Sequence, residues 1–357
     1  MTLTKYECSD CMQKFLKELP KCEHHLHLEG TLEPDLLFKL AKRNNITLPP
    51  TFPPTIEQCK TRYDNFSDLQ DFLDHYYIGM SVLVTEQDFY DLAMAYFTKA
   101  TADGCLHSEV FFDPQGHLER GISLDVVVSG LSHACEDART SFGTTNKLIM
   151  CLLRHLPSED GLKVIESADK YYQDGIIHGL GLDSSEKPFP PELFEECYAL
   201  LRSKFPEVAL TAHAGEEGDY TFVENSLDKL KVTRIDHGVN SKHSESLMKR
   251  LSEEQIMLSL CPLSNVKLQV VQDVGHLPID LFLERGVPFS INSDDPAYFG
   301  GYILDNYVAV HTRFGFNLEQ WKQISLNGIN GSWCDEGRKQ ELRMLVDKVC
   351  SKYVDVL

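Results

Sequence analysis

Along the chain, short apolar runs alternate with longer stretches whose apolar residues recur at helical spacing. Runs at about 107–112 (HSEVFF), 147–153 (KLIMCLL), 177–182 (IHGLGL), 208–213 (VALTAH), 233–237 (TRIDH), 256–260 (IMLSL) and 287–291 (VPFSI) have the length of buried strands. With 21–27 as the first, they predict eight strands. Helical patterns lie between them over 124–141, 191–204 and 244–253. The second opens at Pro190-Pro191, and proline is tolerated in a first helical turn. Eight strand–helix units predict a (β/α)8 barrel, the TIM barrel, with its chemistry at the C-terminal ends of the strands. A doubly wound α/β sheet is the rival, but no GxGxxG follows a first strand.

Residues 31 to about 106 interrupt the alternation. Helical patterns over 66–77 and 86–101 fall there, after a proline-rich interval at 49–54 that reads as a rigid surface loop. An insertion after the first strand lies on the catalytic face. It forms either a lid over the pocket or an extra helical layer that only packs. No repeat, low-complexity tract or linker divides the chain, so residues 1–357 are expected to form a single domain.

Composition narrows the partners. A net charge of -20, from 34 basic and 54 acidic residues, argues against a nucleic-acid surface and against anionic membranes. Eleven cysteines are scattered without paired CxxC motifs; Cys8 and Cys11 come nearest, and reduced thiols serving partly as small core residues are expected. Charges at Lys5, Glu7, Asp10, Lys14, Lys17 and Glu18 leave no apolar signal region, and no run approaches the roughly 20 residues of a membrane span. The expectation is a soluble, cytoplasmic protein, with the nucleus left open.

Candidate chemistry gathers at the strand ends. His25 and His27 stand two apart and share a face if extended, so both can point at one ion. His213 closes the run 208–213, and Asp294 follows the run 287–291. Three imidazoles and a carboxylate suit a catalytic zinc that keeps one position open. Glu216 is either a proton donor near the ion or a helix-start carboxylate. His237 is a further ligand, a base beside the water, or a structural histidine. Of Asp294 and Asp295, adjacent and pointing apart, one can bind metal while the other faces substrate. Histidines 75, 107, 117, 133, 155 and 178 have no clear ligand spacing.

Taken together, HLHLEG, TAHAGEE, RIDHG and NSDDP resemble the adenosine/adenine deaminase family of the amidohydrolase superfamily, from about Pro20 to Gly301. The intervening segments look most like the fungal adenine deaminases. The resemblance implies a zinc-bearing barrel with one Zn2+ held by His25, His27, His213 and Asp294. It further implies Glu216 as proton donor, His237 as the residue that orients and deprotonates water, and Asp295 as the partner of purine N7. The implied reaction is hydrolysis of adenine to hypoxanthine and ammonia in purine salvage, with a small purine base as the partner. Three positions depart from the adenosine enzymes. Glu29 stands where they have aspartate, and its extra methylene is expected to occupy ribose space. Asp236 replaces a glycine, without a role legible in the sequence. Segment 179–186 differs where the family contacts purine N3, which leaves that contact at Ser184 open. Alternatives are an adenosine or N6-substituted AMP deaminase, and a catalytically silent purine-binding barrel. Neither oligomeric state nor regulation is legible.

Overall fold

Near-continuous apolar strands need cover on both faces, and the chain supplies it by closing them into a ring inside a layer of helices. The computed structural model describes residues 6–357; the first five residues of the expected domain, Lys5 among them, lie outside. Eight strands run in sequence order: β1 (Lys21–Glu23), β2 (Cys105–Phe112), β3 (Thr145–Leu153), β4 (Ile177–Asp183), β5 (Ala209–Ala214), β6 (Arg234–His237), β7 (Met257–Leu260) and β8 (Phe289–Ile291). Every neighbouring pair is parallel, which makes the expected (β/α)8 barrel.

The first strand is shorter than the run 21–27 predicts, ending at Glu23. Its neighbour across the closing seam is only three residues long, so the ladder there is continued by side chains and single bridges. His24 N donates to Asn292 Oδ1 at 2.8 Å, and Ser293 N to Glu23 Oε1 at 3.0 Å. Beyond them Asp294 N donates to the His25 carbonyl at 3.1 Å and His27 N to the Asp294 carbonyl at 3.0 Å. His25 and His27 thus stay extended, held by bridges rather than by a regular strand.

Helix ends follow local chemistry. The helix expected over 244–253 is Glu245–Glu253, because Ser244 Oγ caps Leu247 N at 3.2 Å. That expected over 191–204 opens as a 3-10 turn, Pro191–Phe194, before the helix Glu195–Lys204. In the insertion, Asp68 caps Asp71 N at 2.9 Å, so the helix expected at 66–77 is Leu69–Met80; the next is Glu86–Ala102. Helices Pro34–Arg43 and Ile56–Tyr63 complete the insertion. After β8, helix Leu318–Gly331 packs on β1 and β8 and covers the seam. All eleven cysteines are free thiols, seven of them buried. Among the described residues no helix is long and apolar enough to cross a membrane.

The barrel floor is polar. Arg234 on β6 pairs with Glu109 on β2, both buried, and its guanidinium lies 3.8 Å from the centroid of the Trp333 ring. His107 Nε2 and Trp333 N also engage Glu109. Removing one partner of a buried pair leaves an uncompensated charge, which costs more than the pair itself contributes. Glu109→Ala is therefore expected to destabilise the fold by about 3–5 kcal/mol. The double variant Glu109→Leu/Arg234→Met should lose clearly less, as read from urea unfolding followed by tryptophan fluorescence.

Candidate active site

Residues at and just past the strand ends point into one cavity, lined among others by His27, His213, Glu216, His237, Asp294 and Asp295. Its outer wall is the helix Leu69–Met80, which contributes Leu69, Phe72, Leu73, Tyr76 and Tyr77. The insertion thus covers the site as well as packing.

The chain turns sharply at the functional positions. His237, Asp294 and Ser184 adopt left-handed backbone, with φ of 65°, 63° and 73°. Non-glycine residues there carry strain of order 1–3 kcal/mol each, sustained only by firm surroundings. The loop after β5 has such support. Buried Glu186 accepts hydrogen bonds from the backbone N–H of Gly215 and Glu216, both at 2.9 Å, and of Gly218 at 3.2 Å. Arg154 donates to the His213 carbonyl at 2.8 Å, fixing the strand end beneath.

Four side chains, His25, His213, His237 and Asp294, bring one ligand atom each within 4.8 Å of one another. His27 joins from an overlapping group with Asp294 and Asp295; its Nε2 is 3.2 Å from His213 Nε2 and 3.5 Å from Asp294 Oδ1. The structure therefore brings the four expected ligands and His237 to one point. Hydrogen positions follow from the outer partners. His213 Nδ1 faces the Leu182 carbonyl at 3.0 Å and must carry the hydrogen, which leaves Nε2 a bare lone pair. Ser259 donates to Asp236 at 2.9 Å and is left to accept from His25 Nδ1 at 3.1 Å. His25 Nε2 is then also a bare donor, 3.2 Å from Asp294 Oδ1 and without a hydrogen-bond partner. Buried lone pairs facing one point fit a borderline cation such as zinc, held by imidazole and carboxylate.

Burial, and then the neighbouring His25, hold His213 well below the ordinary histidine range and bring His237 to about 3, so both rings are neutral. Burial, reinforced by Asp294 and Glu186, pushes Glu216 well above the usual carboxylate range. Its Oε1 accepts from Asn265 Nδ2 at 2.7 Å, and its Oε2 lies 3.3 Å from His237 Nε2. The carboxyl expected as proton donor is thus pushed toward its protonated form, beside a neutral imidazole. Asp295 is raised similarly, by burial and then by Asp294, and its Oδ1 has no partner. The glycine of HLHLEG permits that position: a Cβ on Gly30 would stand 1.9 Å from Asp295 Oδ1.

Two expected positions differ. Glu29 is not on the cavity wall; it lies behind it, its Oε1 accepting from His117 Nε2 at 2.8 Å and Asp113 N at 3.1 Å. The 3-10 turn Glu29–Thr31 swings it there, so its expected contact with ribose space is not one the structure makes. Ser184 lines the cavity, but its hydroxyl is engaged by His155 Nδ1 at 2.8 Å. Asp113, Asp183, Tyr76 and Asn265 belong to the site and were not singled out in the sequence. For Asp113 and Asp183 a signal existed, since each stands at the end of a strand. Asp236, without a legible role in the sequence, also accepts from Thr211 at 2.7 Å and stands behind His25, through Ser259, and His213, at 3.7 Å from its Nδ1.

A family model described as adenosine deaminase matches residues 20–349. The chain is 74% identical to an adenine deaminase of Candida albicans over 98% of this chain and 99% of that protein. It is 60% identical to an adenine deaminase of Saccharomyces cerevisiae over 95% and 98%. Among solved structures it is similar to an adenine deaminase from Arthrobacter aurescens, with a TM-score of 0.87, 39% identity and coverage of 94% and 99%. It also matches an amidohydrolase with bound zinc from Burkholderia ambifaria, with a TM-score of 0.84, 25% identity and 98% coverage of each chain.

Because Asp236 acts on His25 through Ser259, Asp236→Ala should weaken divalent-metal retention by roughly 10–100-fold. Metal content during timed chelator challenge measures this; unchanged retention would make Asp236 a packing residue.

Proposed function

This chain belongs to the adenosine deaminase family, and we propose that within it the chain hydrolyses free adenine to hypoxanthine and ammonia, using one zinc ion, in purine salvage. The observation that carries the reading is the Glu216 carboxyl, buried beside the imidazole cluster on the cavity wall and pushed by burial well above the usual carboxylate range. The adenine deaminases at 74% and 60% identity support adenine as the substrate.

His25, His27, His213 and Asp294 would hold the zinc, which supplies a nucleophile by lowering the pKa of water at neutral pH. The chain's own residues carry the protons. Neutral His237, with Nε2 facing Glu216 and Asp294, accepts the proton of the attacking water and orients it toward purine C6. Glu216, steadied by Asn265, donates its proton to N1 and so removes the negative charge that attack places on the ring. Protonated Asp295 donates to N7, which selects the ring orientation with C6 toward the cluster. His237 then passes the proton it took from water to the amino group, the C6 hydroxyl returns a proton to Glu216, and ammonia leaves to give hypoxanthine.

Glu216→Gln keeps the shape and removes the acid. Turnover should fall by about 10²–10⁴-fold while one zinc per chain remains bound; near-native ammonia release would assign the proton to another group. The substrate is tested by ammonia release from adenine, adenosine and AMP side by side with zinc-loaded protein. Adenine far ahead is the expected outcome. Preference for adenosine or AMP would keep the chemistry and overturn the substrate, and no turnover of any would favour a silent purine-binding barrel.

A further inference from the structure

Asp113 and Asp183 have no part in the proton transfers above, yet both face the same cavity. Asp113 follows β2 and Asp183 closes β4, each 2% exposed. Their carboxyl oxygens and a His27 ring nitrogen lie within 4.8 Å of one another. The two carboxyls hydrogen-bond each other, and the protein gives the pair few other donors. Tyr76 Oη donates to Asp113 Oδ2 at 3.0 Å, the Cys151 thiol lies against Asp183, and His27 Nδ1 stands 3.6 Å from Asp183 Oδ2. Beyond that mutual bond, Asp113 Oδ1 and Asp183 Oδ1 are both buried without a hydrogen-bond partner.

Each carboxyl oxygen has two lone pairs, so even with one proton shared between them the two aspartates keep spare acceptor sites on a binding wall, which call for a donor from the ligand. A free purine base carries such a donor, the N–H of its five-membered ring. A nucleoside or nucleotide does not, because carbon replaces that hydrogen. Glu29 adds to the demand. It stands behind Asp113, accepts the Asp113 backbone N–H, and keeps negative charge at this wall. We propose that Asp113 and Asp183 together form the subsite that accepts the ring N9–H of a free base, and that they exclude purines substituted at N9. The proposal rests on the purine reading of the site. It transfers the discrimination against ribose from Glu29, which does not reach the cavity, to the two aspartates that do.

A substituent at N9 leaves those spare sites without a donor and sets carbon against them, which is costly in a buried site. The test uses full-length, zinc-loaded Glu216→Gln protein, in which turnover is suppressed, and calorimetric titration with adenine and with 9-methyladenine. Adenine should bind at least about tenfold more tightly. In Asp113→Ala and Asp183→Ala built on that background, with folding checked by circular dichroism, the wall loses its acceptors and gains room for a methyl group. Adenine should weaken while 9-methyladenine holds or strengthens, so the preference narrows at least tenfold. In the native background the same change should appear chiefly in KM. Equal binding of the two purines by the parent, or an undiminished preference in both folded aspartate variants, would overturn the subsite. Failure of native protein to bind or turn over adenine at all would instead bring down the purine reading, and this proposal with it.

Discussion

The site depends on the seam where the last strand of the barrel meets the first. That seam is closed by the main chain of the proposed metal ligands themselves: the Asp294 amide donates to the His25 carbonyl, and the His27 amide to the Asp294 carbonyl. Closing the barrel and placing the ligands are therefore one event. The left-handed turn at Asp294, with φ of 63°, is the local strain this arrangement stores. It is held on one side by Asn292 and Ser293 against His24 and Glu23, and on the other by the helix Leu318–Gly331. Little in the seam can relax without disturbing an imidazole.

Around that seam the electrostatics are graded. At the barrel floor Glu109 and Arg234 neutralise each other. Above them Asp236 acts on His25 and His213 from behind, through a serine on one side and at 3.7 Å from the ring on the other. At the cavity, burial raises Glu216, Asp295 and Asp183 together, because a dry wall cannot hold that many negative charges. Carboxyls that would be fully ionised in water are pushed toward their neutral form here. The same dryness keeps His213 and His237 neutral, the form that the proposed ligand and base roles require.

The fold was legible because strand ends and chemistry coincide in a barrel. All eight strands fall where the apolar runs predicted, within a few residues, and the first ends four residues early, at Glu23. The residues gathered at the cavity were legible where a motif contains its own partner, as in HLHLEG and NSDDP. What escaped was set by contacts distant in the chain. Glu29 stands two residues past His27, which suggested the pocket, but its position is decided by His117, 88 residues on. Asn265 lies 49 residues from Glu216 and carries no spacing that marks it as a partner. Asp113 and Asp183 are a different case: they satisfied the strand-end rule and lacked only the histidines that made other positions conspicuous.

The closing seam also has a temporal consequence. His25 is among the first parts of the barrel to leave the ribosome, and Asp294 among the last. Until β8 is made, three imidazoles are present without their carboxylate, and β1 has no neighbour on its outer edge. A nascent chain of seven strands thus presents an open edge and an incomplete set of imidazole donors. A metal site built from these residues would be complete only once β8 is made, and the helix Leu318–Gly331, which packs on both β1 and β8, follows it in the chain. Any bound ion then acts as a clasp between the two ends of the barrel, and its loss would be felt first as parting of that edge.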